Sequence, residues 1–581
     1  LIYIFIIGLL LCSYTWADGS RYASNSLLSE GKWVKIRVDK TGIYKLSYAD
    51  LKNMGFSDPS KVSVHGYGGW PLDEDFSKEY IDDVPSTPVW RGSDYLLFYG
   101  KGSVKWEYDS SSQTFVHTNN PYSLYGYYFV TDATPTNDMT SVAQASGAST
   151  RITTYDDYLL HEQELVSVNQ SGREFFGEDF SGARPRTIST FSSIPGITGA
   201  DGKVTMRFIS RINSGSGTAS LSINDSELLD ITIPSIQTVS SNVRSYTKAI
   251  PGTTTALWKG SKSEKNNVVV SYSSSGHTNV RLDYIRMQFV RTLRPYGACT
   301  FFRSLTSVGN ASRFVISEAN SNTLVFDVTD ALNVKRVEAD LNGSELSFTI
   351  PAGRLREFVL VQTNQTFPSP EVVGEVASSN LHGLEQRDMI IISAPSLVQQ
   401  AERLAVAHRE KDGLTVEVVT PEAIYNEFSS GTPDATAYRR LMKMFYDRSS
   451  SLGNPPKYLL LFGDGIYDNR GISGEVQGVS RSNMLLTFQS QESLNVYSYA
   501  TDDYFAFLED NSGSNFSRDK MCVGVGRFPI RTVTEATQMV DKTISYMENK
   551  DSGSWKNNVT FVADDGNNED SFTTNHMKQA D

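Results

Sequence analysis

Two apolar runs constrain this fold more than any other feature of the chain. "DMIIISAP" at residues 388–395 and "KYLLLFGD" at 457–464 lack the polar alternation of a strand with one wet face. A continuous apolar strand is covered on both faces, which is the condition of a parallel sheet flanked by helices. Helices are predicted between such runs. Ser396 to Asp412 is amphipathic and closed by Gly413, Asp434 caps a helix running to Arg448, and Thr532 with Glu535 forms a capping box ahead of another. Further strands are read at "LTVEVVT", "MCVGVGRFPI" and "NNVTFVADD". After Leu381 the chain is therefore an α/β domain, still incomplete at Asp581.

Upstream the pattern is β throughout. Residues 18–143 read as a β-rich domain that begins with a hairpin: Val34, Ile36 and Val38 share one face, Asp39 to Gly42 turns, and Tyr44, Leu46 and Tyr48 return. Residues 144–295 are Ser/Gly/Thr-rich, with regularly spaced strands and an Asn224-Asp225 turn, the pattern of a β-sandwich. Residues 296–370 form a smaller β domain, and residues 371–385, containing "SPEVVGEVASSN" in part, read as a linker. The fold class is thus multidomain, all-β domains first and a parallel α/β domain last.

The first residues, "LIYIFIIGLLLCSYTWADGS", read as a secretory signal peptide over residues 1–17 whose basic start is missing. Export follows, and with it an oxidising compartment, yet only Cys299 and Cys522 lie beyond residue 17, so no disulfide framework staples the domains. A net charge of −13 argues against nucleic acid and anionic membrane as partners, since attraction to both is cationic.

Ligands of open parallel sheets gather at the carboxyl ends of the strands. There Gly463 and Gly465 let the chain turn off its strand, and Asp464 and Asp468 follow. Asp502 and Asp503 in "YATDDYFAF", and Asp564 and Asp565 after "FVA", add acids to loops of the same domain. Such a rim suits a hard cation such as calcium, or a pocket for a basic side chain. Each aspartate taken singly also suits a helix cap or turn.

Other chemistries lack their motifs. "GVGRFP" has Pro529 where a dinucleotide fingerprint needs glycine, and HExxH and GxSxG are absent. The seven histidines are scattered, which speaks against zinc. Cys522 reads as a buried strand thiol and His576 as a helix residue, so the residues alone give no catalytic set.

Four linked motifs, "YLLLFGDGIYDNRG", "YATDDYFAFLED", "VGVGRFPIRTVTEATQMVDKTISYMEN" and "WKNNVTFVADDGN", resemble the gingipain family of cysteine peptidases. "KWVKIRVDKTGIYKLSYADLKNMGF", "HGYGG", "DYLLFYGKG" and "NPYSLYGYYFVT" resemble the opening domain of that family's type IX secretion sortases. The resemblance implies a caspase-like α/β fold in two subdomains, the first over residues 386–554 and the second beginning at 555–581. It implies a sortase on the outer-membrane surface of a Gram-negative bacterium, working with outer-membrane type IX secretion components. That enzyme removes the carboxy-terminal sorting domain of exported cargo and transfers the cargo to anionic lipopolysaccharide through a thioester-like acyl intermediate.

The family's catalytic histidine lies in a Gly-His-Gly segment with the cysteine after it, and neither motif occurs here; Gly276-His277 continues to Thr278 inside the sandwich. The dyad is expected beyond Asp581, and the chain alone is expected to be inactive. By position, Asp502 and Asp503 match cleft or substrate-pocket acids, while Asp464, Asp468, Asp564 and Asp565 are the calcium candidates. Two rival readings have distinct signatures: a non-enzymatic surface protein holding glycan on its β-sandwich, and a gingipain-like protease of environmental protein.

Overall fold

The computed structural model describes residues 21–78, 80–182, 184–236, 247–260, 262–274, 277–474, 481–513, 515–550, 553–563 and 578. The signal peptide read over residues 1–17, Asp564, Asp565 and His576 lie outside these.

Strands β1 (Trp33–Val38) and β2 (Gly42–Ser47) do not form the predicted hairpin. β2 pairs with β3 (Tyr95–Gly100), whereas β1 lies between β4 (Gly126–Thr131) and a strand at Glu371–Glu375. The alternation was a correct guide to faces and a wrong one to partners. Val34, Ile36 and Val38 meet Tyr44 and Leu46 across one core, so the two strands belong to facing sheets. The Tyr44 hydroxyl holds the corner, donating to the Lys40 carbonyl at 2.8 Å and lying 2.9 Å from Asp39 Oδ1. Ser47 then caps helix α1 (Tyr48–Asn53) in a capping box with Asp50.

The sandwich packs a sheet of β5 (Thr154–Glu162), β6 (Gly202–Ile212), β9 (Ile250–Trp258) and β11 (His277–Thr292) against one holding β7 (Ser216–Ile223), β8 (Ser226–Pro234) and β10 (Val268–Ser273). Met206, Phe208, Leu221, Ile233, Val270 and Ile285 from both sheets share its core. Residues 141–142 and 150–152, read above at or inside the sandwich boundary, instead pair in parallel with Lys335–Val337 and Ser312–Ile316 of the smaller β unit.

The stretch read as a linker is structural as well. Glu371–Glu375 (β12) is the edge strand of the amino-terminal sheet, with Ile36 opposite Val372 and Val34 opposite Glu375.

The α/β region has the predicted parallel sheet, in the order β14 (Val416–Val419), β13 (Met389–Ser393), β15 (Tyr458–Phe462), β16 (Gly524–Phe528). Ile390, Ile391 and Ile392 are fully buried, as a sheet covered on both faces requires. Helix α2 (Val398–Ala407) ends in a π turn closed by Gly413 at φ +65° and packs on α5 (Val533–Met547); α3 (Pro421–Phe428) packs on α4 (Ala435–Leu452). The caps at Asp434 and at Thr532 with Glu535 form as read. Asn558–Ala563, by contrast, join no strand among the described residues, and Val559, Phe561 and Val562 are exposed. Cys522 precedes β16 and is half-buried, so the sequence reading of it as a buried strand thiol is corrected.

Helix α4 is buried on its polar side as well as its apolar side. Tyr438, Leu441 and Met442 belong to the sheet core, while Arg439, Arg440 and Lys443 are buried too. The polar side meets the amino-terminal domain: Arg439 Nη1 donates to the Glu74 carbonyl at 2.5 Å, and Leu72 N donates to Asp434 Oδ2 at 3.1 Å. Thr432 Oγ1 on the preceding loop donates to the Gly68 carbonyl at 3.0 Å.

Candidate functional site at the carboxyl edge of the parallel sheet

Ser393, Phe462 and Phe528 are in register at the carboxyl ends of β13, β15 and β16. Beyond them the chain from β15 is held by backbone bonds, Gly463 N to the Phe528 carbonyl at 3.2 Å and Asp464 N to the Ile530 carbonyl at 3.0 Å. Gly465 is required by a close approach, since a Cβ there would lie 2.4 Å from Thr487 Cγ2.

Each described aspartate of the rim has a distinct fate. Asp464 Oδ2 receives Arg531 Nε at 2.5 Å. Asp468 is fully buried; Oδ1 accepts from the amides of Gly471 and Ile472 at 2.8 and 3.0 Å, and Oδ2 from the amide and hydroxyl of Ser473, both at 2.7 Å. Burial by itself would raise its pKa; the Ser473 hydroxyl, these amides and nearby Arg481 outweigh it and hold the carboxyl below its usual value. Asp502 takes both arms of Arg527, Nε at 2.9 Å and Nη2 at 2.8 Å. Asp503 is exposed and, among the described residues, its carboxylate has no partner.

The calcium reading does not fit Asp464 and Asp468, whose oxygens are spent on a guanidinium and on a turn. Among the described residues no three His, Cys, Asp or Glu side chains converge as metal ligands. Asp564 and Asp565 lie outside the described residues. Of the two cleft candidates, Asp502 is a scaffold and Asp503 is the carboxylate presented to solvent.

Sequence reading missed Arg527. This side chain, 11% exposed, also donates to the carbonyls of Gly463 and Leu486 at 3.2 Å each, tying three loops of the edge together. An arginine inside the otherwise apolar "VGVGRFPI" was the available signal, because a half-buried guanidinium needs partners.

Among the described residues neither thiol meets a histidine. Cys522 Sγ lies 3.8 Å from the Lys520 carbonyl and beside the Tyr446 phenol, which burial first and this thiol second push up to about 12. Burial pushes the Cys299 thiol up to about 12. His382, at the entry to the α/β region, is locked between Glu427 Oε2 at 2.7 Å and Asp82 Oδ1 at 3.1 Å.

Residues 382–581 match the model of peptidase family C25. That stretch is similar to the members of this family. The C25 region and the β domains ahead of it also align together with one solved structure, dimeric latent PorU from Porphyromonas gingivalis. The identity is 38% and the TM-score 0.83, over 93% of this chain and 51% of that one. The chain thus spans about half the length of PorU. No curated protein matches. Two further solved structures share little with the chain. A cycloisomaltooligosaccharide glucanotransferase from Paenibacillus sp. has 9% identity and a TM-score of 0.11, over 38% of this chain and 48% of that one. The acetyl xylan esterase Est2A of Butyrivibrio proteoclasticus has 8% identity and a TM-score of 0.13, over 68% and 98%. Neither bears on the fold of the C25 region.

Proposed function

We propose that this chain serves in a type IX secretion sortase, a cysteine peptidase on the outer-membrane surface of a Gram-negative bacterium. Its substrates are exported proteins with a carboxy-terminal sorting domain, and its partners are outer-membrane components of the same secretion system. The enzyme's cysteine attacks the scissile carbonyl to form an acyl-enzyme, histidine manages the protons, and the acyl group passes to anionic lipopolysaccharide. The observation that carries this reading is the alignment with PorU across the β domains as well as the C25 region, at 38% identity over 93% of the chain. A C25 region alone would be equally at home in a protease of environmental protein.

Within that reading the described edge supports a cleft and does not supply its nucleophile. Asp503 is the acid available to a substrate, and Arg527 with Asp502 keeps the loops beneath it in place. Since neither Cys299 nor Cys522 has a histidine partner among the described residues, residues 1–581 alone should not cleave.

The test is incubation of a cargo protein carrying its sorting domain with residues 1–581 and, separately, with the product of the whole gene, read by mass spectrometry. Release of the sorting domain by the whole product alone is the expected result. Release by residues 1–581 would overturn the inactivity, and digestion of casein without release of the domain would replace the sortase by a general protease.

A further inference from the structure

A cavity of about 730 Å³ lies where the amino-terminal domain, the sandwich and the C25 region meet, a volume within the range of small-ligand sites. His117 and Asn119 enter it from the amino-terminal domain, Glu162 and Asp283 from the sandwich, and Arg470 from the C25 region. These groups are deeply set: the side chains of His117, Glu162 and Arg470 are 6%, 11% and 3% exposed.

The arginines of the wall are already occupied. Arg173 pairs with Glu74 at 2.7 Å, Arg207 with Glu174 at 2.7 Å and also with Asp283, and Arg470 Nη2 with Glu164 at 2.6 Å. The two lysines are spent on Asp73 and Glu107, at 3.0 and 2.8 Å. Glu162 differs, because neither of its partners is a permanent cation: Asn119 Nδ2 donates at 2.8 Å and His117 Nε2 lies at 3.3 Å.

The atoms left over point to what is missing. In the neutral imidazole with its proton on Nε2, facing Glu162, His117 Nδ1 is a bare acceptor; it is buried and, among the described residues, has no partner. Asn119 Oδ1, a second acceptor on the same wall, is also buried without one. Buried acceptors are rarely left without donors. Carboxylates outnumber lysines and arginines around the cavity, and Tyr122 and Tyr284 border it, which suits a cation near aromatic rings.

We propose that this cavity binds a guanidinium or primary ammonium group, with Glu162 as counter-ion and His117 Nδ1 and Asn119 Oδ1 as its acceptors. A divalent metal is a poorer fit, since no three ligand side chains converge among the described residues. The group belongs either to a free amine or to a basic side chain of a polypeptide, and the two share this chemistry.

Calorimetric titration of residues 1–581 separates them, with agmatine as one probe, acetyl-Gly-Arg-Gly-amide as the other, and the citrulline peptide as the uncharged control. Agmatine, the arginine peptide or both bind with a Kd below about 1 mM, and Glu162→Gln weakens binding about tenfold or more. The citrulline peptide binds at least about tenfold more weakly than the arginine peptide. Agmatine binding alone assigns a free amine, and peptide binding alone a side chain. Asn119→Leu gives the same loss by a second route and guards against misfolding of the first variant. No binding of either probe at about 10 mM, or binding unchanged by both substitutions, overturns the proposal and leaves a hydrated cavity.

Discussion

Arg527 grips Asp502 with both arms of its guanidinium, at 2.9 and 2.8 Å, and reaches two loop carbonyls with the same group. Replacing it by lysine keeps the charge and loses the fork, at a cost of about 1–2 kcal/mol. Methionine leaves Asp502 without a counter-ion and costs about 3 kcal/mol. Urea unfolding of the two variants against the parent checks the order, and an Arg527→Met chain as stable as the parent would refute the hub.

His382 gives the pH prediction. Burial opposes its charge, but the hydrogen bonds and charges of Asp82 and Glu427 prevail and raise its pKa to about 9. A group raised above its unfolded value of about 6.5 contributes fully below that pH and loses its contribution as pH rises through about 9. Stability of the parent should therefore fall between about pH 6.5 and 9 by up to about 3 kcal/mol more than that of His382→Asn, measured by denaturation at stepped pH.

Gly465→Ala should destabilise by about 1–3 kcal/mol, because the new methyl meets Thr487 Cγ2. Thr487→Ser removes that carbon and keeps the hydroxyl bond to the Ile466 carbonyl, 3.0 Å long. The double variant should regain most of the loss in thermal unfolding.

Arg439→Met should loosen the amino-terminal domain from the C25 region. The guanidinium feeds the carbonyls of Phe507, Glu74 and Ser512 and sits over the rings of Phe76 and Tyr504 at 4.0 and 4.8 Å. Stranding three buried acceptors costs about 3 kcal/mol or more. Faster proteolysis within residues 66–78 is the expected readout.

Legibility in the sequence followed the range of the interaction. The parallel sheet was readable because continuous apolar runs and helix caps are local statements about burial, and Ile390 to Ile392 and Asp434 obey them. The partners of β1 were not, since alternation says which face is buried and nothing about which strand lies alongside. Val372 and Val373 are exposed in an edge strand, so "EVVGE" carries no core signal and reads as a connector. The acids of the rim were visible as acids. Their roles were set by Arg531, Arg527 and the amides of residues 471–473, which only folding brings to them.

The return of β12 to β1 sets an order of events during synthesis. Arg37 and its partner Glu371 stand 334 residues apart, so the first sheet to leave the ribosome is completed only after both β units behind it have emerged. Until then β1 presents an open edge, the kind of surface that recruits a second chain. Closing so long a loop is slow. A nascent chain of this protein thus keeps its first sheet unfinished until Glu371 has emerged, and a truncation placed before Glu371 would leave it unfinished permanently.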